Sequence, residues 1–292
     1  MGIDSALRKE LIRQGSVFDA YCLFEKDKPK YILKTLKSQK FKFREKYENE
    51  GDILEAISGK KGYSQLVFRG SGQLAINYID HKDYTESEKN NLLAEQPILR
   101  ERLVELLYQY NSVKMGRIIK DRMLLNVIKA TGKGLLKRKI NLKTAFYSAK
   151  SILFEAVAFK DKPILLHNDF TCNNVLIDSS NEIYIIDYDR GTTSCKFVYR
   201  DVLNFLLRSQ VISDWTWQYD FFKKYYLNMD LEKSISQRKF QANIYYTCIR
   251  ICMFYIYNSN PENILLQNLK YLFDKDKASS MLDILWQEVN RT

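Results

Sequence analysis

Between Pro163 and Arg190 the chain reads PILLHNDFTCNNVLIDSSNEIYIIDYDR, and this stretch restricts the fold more than any other. Three short apolar runs, Ile164 to Leu166, Val175 to Ile177 and Ile183 to Ile186, alternate with polar loops, so each has the length of a strand and not of a helix. The sequence around them has the other period. Apolar residues recur at helical spacing through Leu92, Leu93, Leu103, Leu106 and Leu107, and again from Val202 to the end. A small β element set in a helical body is therefore required. With 4 Pro and 11 Gly in 292 residues, long regular elements should dominate, which argues against an all-β sandwich. At 46% hydrophobic and 28% charged residues the composition is globular and excludes disorder, collagen and coiled coil.

Acid and amide residues cluster at the ends of these short strands. His167, Asp169 and Asn174 fit H-x-D-x-x-x-x-N, and Asp187 follows the third run. Phosphoryl transfer needs such a set: a carboxylate to take the proton of an attacking hydroxyl, and an amide oxygen with a second carboxylate, both hard donors, to hold Mg²⁺ against nucleotide phosphates. It also needs a strand lysine for the α and β phosphates and a helix glutamate to hold that lysine.

Residues 1 to 80 offer both. Ala20 to Glu25 and Lys30 to Leu36 read as strands joined by a hairpin turn at Lys26 to Pro29, and Lys34 lies on the second. Phe43 to Ile57 spaces Tyr47, Glu50, Leu54 and Ile57 as one helix face, which puts Glu50 on the inward side, where an unpaired carboxylate is costly. Two further strands, Gln65 to Arg69 and Gln73 to Ile79, join through Gly70-Ser71-Gly72. The expected architecture is α+β and two-lobed: residues 1–80 form a small antiparallel-sheet lobe with one helix that binds nucleotide. Residues 81–292 form a mainly helical lobe that carries the catalytic β-hairpin and binds the acceptor.

With these residues in order, the sequence resembles the aminoglycoside and choline kinase family, which shares the protein-kinase-like fold. HNDFTCNNVLI, IYIIDYDR and YRDVLNFLLRS are most similar to its spore-coat kinase-like branch. The resemblance is sharp from about 163 to 207 and topological over the small lobe. It implies an ATP-dependent phosphotransferase with an alcohol group as acceptor, with ATP and Mg²⁺ bound. Asp169 would be the catalytic base in the His167, Asp169, Asn174 set, Asn174 and Asp187 the magnesium ligands, and Lys34 with Glu50 the phosphate-binding pair. Asn77, Tyr78 and Ile79 would be the hinge that pairs with adenine. Asp201 matches the acid that braces the catalytic loop, with a plain helix N-cap as the alternative.

Three departures stand out. Asn168 occupies a position where the family often has glycine. Tyr188-Asp189 follows Asp187 in place of Phe-Gly, so that Asp189 is either a further metal ligand or a turn residue. The phosphate-covering loop near Gln14 to Val17 has one glycine, Gly15. The rival function is a pseudokinase kept as a structural or assembly component, such as a spore-coat protein.

The net charge of +11 concentrates in Lys114 to Lys150, where eleven basic residues face the single acid Asp121. This run is either a solvated face or an anion-binding surface beside the acceptor, and with few acids in the middle region it favours an anionic or neutral acceptor, such as a sugar phosphate or envelope glycan. No aromatic stacking motif interleaves it, which ranks nucleic acid low. Two histidines, His81 and His167, limit hydrolase and metal-centre designs. Cys22, Cys172, Cys195, Cys248 and Cys252 are scattered and read as reduced thiols. Ile244 to Tyr257 carries Arg250 and falls short of a membrane span, and the N-terminus lacks an apolar signal region, so a cytoplasmic protein with a buried core helix is expected.

Overall fold

The computed structural model describes residues 7–119, 123–136, 142–157, 163–194, 198–229, 236–258 and 263–290. The small lobe is an antiparallel sheet of β1 (Arg8–Gln14), β2 (Phe18–Glu25), β3 (Lys28–Leu36), β4 (Leu66–Gly70) and β5 (Gln73–Asn77), in the order β1-β2-β3-β5-β4. The turn between β2 and β3 is tighter than the sequence suggests. Lys26 (φ 48°) and Asp27 (φ 64°) take the left-handed backbone of a two-residue hairpin, and Lys28 and Pro29 already belong to β3. β1 is an element the sequence did not announce. Its seven residues RKELIRQ are all exposed and alternate no apolar face, as suits a charged edge strand.

Helix α1 (Phe41–Ala56) packs against β3 and β4, and the expected face is the buried one, with Tyr47, Glu50 and Leu54 inward and Ile57 just past its end. Pairing with Ala20 and Leu74 sets Lys34 on the central strand of the sheet, flanked on both sides.

The helical lobe opens with α2 (Glu86–Glu95), started by a Thr85–Glu88 capping box, and α3 (Pro97–Asn111), started by its proline. Helices α4 (Met123–Leu136) and α5 (Leu142–Val157) follow. The β interlude is β6 (Ile164–Leu166), β7 (Val175–Ile177) and β8 (Ile183–Ile185), almost residue for residue as the apolar runs indicate. β7 and β8 form an antiparallel hairpin, and β6 pairs with β9 (Thr192–Ser194). The chain ends in α6 (Arg200–Ser209), α7 (Trp217–Asn228), α8 (Gln237–Asn258), α9 (Asn263–Phe273) and α10 (Lys275–Asn290).

α8 is the axis of this lobe, packed by α4, α5, α6, α9 and α10, and it buries Phe240, Ile244, Ile249, Ile251 and Met253 completely or nearly so. The apolar run ending at Tyr257 is thus a core helix, and none of the described helices is long and apolar enough to cross a membrane. Cys22, Cys172, Cys248 and Cys252 are buried free thiols, and Cys195 lies outside the described residues.

One hydrophobic core runs through both lobes. At their junction Ile185 N–H donates to the Gly62 carbonyl (2.9 Å), and Tyr63 Oη donates to the Leu106 carbonyl (2.5 Å). Gly62 has φ +86°, and a Cβ there would meet Leu106 Cδ2 at 2.4 Å, so glycine is what lets the lobes approach.

Candidate active site

The two lobes enclose a cavity of about 550 Å³. Its small-lobe wall includes Gly15, Val17, Lys34 and the segment Asn77–Ile79, and its floor includes Asp169, Asn174, Asp187 and Asp189. Residues distant in sequence are therefore brought together as expected, with the exceptions of His167 and Glu50, which lie behind the cavity wall.

Lys34 Nζ donates to Glu50 Oε1 and to Asp187 Oδ1, each at 2.6 Å. Glu50 is 1% exposed and Asp187 32%, so the cation is held on the interior side by a carboxylate without water and on the cavity side by one that water reaches. Burial works against the Lys34 ammonium, but the attraction of Asp187 and Glu50 outweighs it and holds the pKa above the usual lysine range. Two acids share one cation, and the second Glu50 oxygen, Oε2, has no hydrogen-bond partner among the described residues. Burial raises Glu50 to about 7; Lys34 opposes this, while Asp187 and Asp189 add to it. Lys34 in turn lowers Asp187 to about 2 against the cost of its burial.

The strand ends place these groups through strained backbone and buried anchors. Asp187 sits at φ +65° and Asn168 at φ +62°, the left-handed region that asparagine and aspartate tolerate best among residues with a side chain. This is why Asn168 replaces glycine at its position. Its amide is also used: Nδ2 donates to the Arg190 carbonyl (2.9 Å) and to Thr192 Oγ1 (2.7 Å), and Oδ1 accepts from Arg200 Nη1 (2.7 Å). Asp201 is fully buried and accepts from the N–H groups of His167 (2.7 Å) and Asn168 (2.8 Å) and from Asn111 Nδ2 (3.0 Å). Of its two readings the brace is the one realised, since α6 has Tyr199 as its N-cap residue and no side-chain cap.

His167 is fully buried, with its ring Nε2 hydrogen-bonded to the Ile186 carbonyl (2.9 Å) and the ring packed against Tyr110, Phe170 and Tyr188. It fixes the approach of β8 to Asp187 and does not line the cavity. Asn174 Nδ2 donates to the Asp169 carbonyl (2.7 Å), which ties the amide to the loop that carries the carboxylate. Tyr188 fills the core where the family resemblance leads one to expect phenylalanine, stacked on Tyr110 with its hydroxyl donating to the Ile185 carbonyl.

Asp169 has neighbours that sequence reasoning missed. Oδ1 accepts from Tyr255 Oη (3.1 Å) and lies 3.5 Å from Arg208 Nη1, while Oδ2 lies 3.4 Å from Arg190 Nη1. The Arg208 guanidinium lies over the Tyr255 ring. Burial raises the Tyr255 hydroxyl far above its ordinary pKa, and the negative Asp169 raises it further, so it stays a donor. Asp189 is paired with Lys46 of α1 (2.8 Å). No local motif marks Tyr255 or Lys46, and the run YRDVLNFLLRS contains Arg208 without showing what it faces.

At the cavity rim Gly15 makes the β1–β2 turn: its N–H donates to the Phe18 carbonyl (2.9 Å), and a Cβ would meet that oxygen at 2.6 Å. Asn77 N–H donates to Gln65 and Tyr78 N–H to Lys30 (both 3.0 Å), and the Ile79 carbonyl is bonded to His81 Nδ1 (2.8 Å). Much of the basic run lies outside the described residues. Lys120, Arg122, Lys137, Arg138 and Lys139, as well as the side chains of Lys133 and Lys143, lie outside the described residues. Arg117 bonds Asp52 and Asn49 of α1, and among the described residues none from 114 to 150 lines the cavity.

No protein-family model and no curated protein matches this sequence. Solved structures do resemble it. A choline/ethanolamine kinase family protein from Mesorhizobium loti superposes with a TM-score of 0.62 at 12% identity, covering 96% of this chain and 92% of that one. An ethanolamine kinase from Plasmodium vivax gives 0.57 at 13%, covering 100% and 84%. The ADP-bound aminoglycoside phosphotransferase APH(2″)-Ib gives 0.54 at 18%, covering 98% and 94%. The chain thus has the two-lobed, α+β protein-kinase-like fold of these enzymes.

Proposed function

We propose that this chain is an ATP-dependent phosphotransferase that moves the γ-phosphoryl group to a hydroxyl of a small molecule or glycan, and that it belongs to the aminoglycoside and choline kinase family. The observation that carries the reading is Lys34 held at 2.6 Å by both Glu50 and Asp187 at the edge of the cavity that Asp169 and Asn174 also line. Residues 1–80 are the nucleotide lobe and 81–292 the catalytic and acceptor lobe.

In this reading Lys34 binds the α and β phosphates and Glu50 orients it. Asn77 to Ile79 receive the adenine and the Gly15 turn covers the phosphates. Asn174 and Asp187 fit a magnesium ion, because both bring hard oxygen donors to the cavity and magnesium keeps most of its remaining sites for water and phosphate. When bound, the ion would neutralise the phosphate charge that the transfer develops. Asp189, paired with Lys46, is a further ligand only if that pair opens. Asp169 accepts the hydroxyl proton as the acceptor oxygen bonds the γ-phosphorus and the bond to the β-phosphate oxygen breaks, leaving ADP. Tyr255, Arg190 and Arg208 hold the Asp169 carboxylate in place.

The acceptor we infer is anionic, such as a phosphorylated sugar, because the carboxylate that would meet it stands between two guanidiniums, where a cationic acceptor would be repelled. Buried free thiols suit a reducing, cytoplasmic setting. A spore-coat pseudokinase is the second reading. It is favoured by one feature, a Gly15 N–H already spent inside its own turn and so not offered to phosphate.

A thermal-shift titration with ATP, with and without Mg²⁺, on wild type and Asp187→Asn separates the two. A magnesium-dependent rise in Tm that the variant loses supports the enzyme, and a screen of phosphorylated sugars against choline and aminoglycosides then tests the acceptor. No rise at millimolar ATP would leave the pseudokinase.

A further inference from the structure

Outside the cleft, α4 and α5 present an outward surface of a distinct kind. Leu125, Ile128 and Leu135 of α4 are 54%, 44% and 40% exposed, and Phe146 and Leu153 of α5 are 56% and 71% exposed. Their spacing places each set on one helix face. The opposite sides, at Val127, Ser148 and Ser151, are buried where the two helices pack on each other and on α8. Large aliphatic and aromatic groups therefore face away from the body of the protein on two adjacent helices.

Charge selects the occupant. From residue 120 to residue 150 the sequence holds nine basic residues and one acid, Asp121. Lys129 and Lys150 are exposed on the two helices themselves, and the Lys150 ammonium lies 4.6 Å from the Phe146 ring centroid. A second copy of the chain seated here would bring like charges together, and a folded protein partner would normally offer both signs. A layer of anionic headgroups over an acyl boundary offers one sign and an apolar interior. It takes lysine stems that lie along apolar surface with the ammonium at the headgroups.

We propose that the α4–α5 face docks on an anionic phospholipid surface, with Leu125, Ile128, Phe146 and Leu153 entering the acyl boundary and Lys129 and Lys150 at the headgroups. This surface is independent of the cleft and of the phosphotransfer reading.

The test is co-sedimentation of the full chain with vesicles of phosphatidylcholine alone and of phosphatidylcholine mixed with phosphatidylglycerol. Binding is expected only to the anionic vesicles and is expected to weaken as salt rises. Leu125→Ser, Ile128→Ser, Phe146→Ser and Leu153→Ser together should reduce it at least about tenfold, since each removes apolar area from the acyl boundary. Leu153→Ser alone, at the most exposed of the four, should weaken it with Tm unchanged. No binding to anionic vesicles, equal binding to neutral ones, or binding unaffected by the serine substitutions would overturn the proposal. So would a dimer by light scattering that the same substitutions dissociate, because the face would then be a self-association surface.

Discussion

On the small-lobe side of the cleft one cation, Lys34, is shared by two carboxylates at 2.6 Å, whereas in the loop after β6 one carboxylate, Asp169, stands between two guanidiniums at 3.4 and 3.5 Å. The first cluster gathers more acidic groups than basic ones and the second more basic than acidic. Under the proposed function, two acids around one lysine would let Asp187 turn to a metal ion while Glu50 keeps the lysine. In the proposed reaction, basic side chains around the acid would fix the carboxylate where the acceptor hydroxyl approaches. Substitutions at each cluster should therefore fail differently.

The largest expected effect is at the second cluster. Asp169→Asn should lower turnover about 10³-fold, equivalent to about 4 kcal/mol, while leaving the magnesium-dependent Tm rise with ATP unchanged. Asp187→Asn should remove that rise. Equal loss of nucleotide binding in both variants would break the distinction between the clusters.

Next in size is Lys34→Met, which leaves Glu50 buried without its cation. We expect a loss of about 3 kcal/mol in stability without ligand, near the low end for a broken buried pair, because Glu50 can take up a proton and Asp187 is reached by water. Thermal unfolding without nucleotide checks it, and an unchanged Tm would show that Lys34 serves binding alone.

A pH series resolves the same cluster further. With its pKa raised from 4.5 to about 7, Glu50 holds a proton in the folded protein that it loses in the unfolded chain between those values. The stability this contributes is complete below pH 4.5 and lost as pH rises through about 7, at most about 3 kcal/mol. Asp187, lowered from 3.8 to about 2, contributes in the opposite sense, with stability present above 3.8 and lost as pH falls through about 2. Tm should fall as pH rises from 4.5 to 7 in wild type, and Glu50→Gln should flatten that slope while leaving the acid limb. A slope unchanged in the variant would place its origin elsewhere.

The two clusters also differ in how far the sequence discloses them. Lys34 and Glu50 lie on elements with a clear period, so strand alternation and the helix face indicate both, and β6 to β8 stand out as apolar runs in a helical background. The loop acid Asp169 is equally plain, yet its surroundings are not. Tyr255 reaches it across 86 residues from the last turn of a core helix, and Lys46 reaches Asp189 across 143. Such contacts depend on how helices pack and leave no local pattern. β1 was hidden for another reason: an exposed, charged edge strand has no apolar face to show. The sequence leaves Asp201 two roles, because the brace depends on where the loop after β6 passes.

The smallest expected effect bears on the least legible feature, the guanidiniums beside Asp169. Arg190 is 44% exposed and Arg208 is 12% exposed, so Arg190 can turn toward an incoming anion while Arg208 stays fixed over Tyr255. Arg190→Gln should raise the KM for an anionic acceptor about tenfold, the scale of one charge-assisted contact, with kcat changed less and the nucleotide-dependent Tm rise intact. Arg190→Lys should restore part of the loss because it keeps the charge without the fork. If Arg190→Gln instead lowers kcat at unchanged KM, Arg190 acts on Asp169 or the transferred phosphoryl group, and the positive surplus of the second cluster serves the chemical step. If it improves use of a cationic acceptor, the surplus sets specificity by repulsion, and the charge of the acceptor follows from the pair that excludes its opposite.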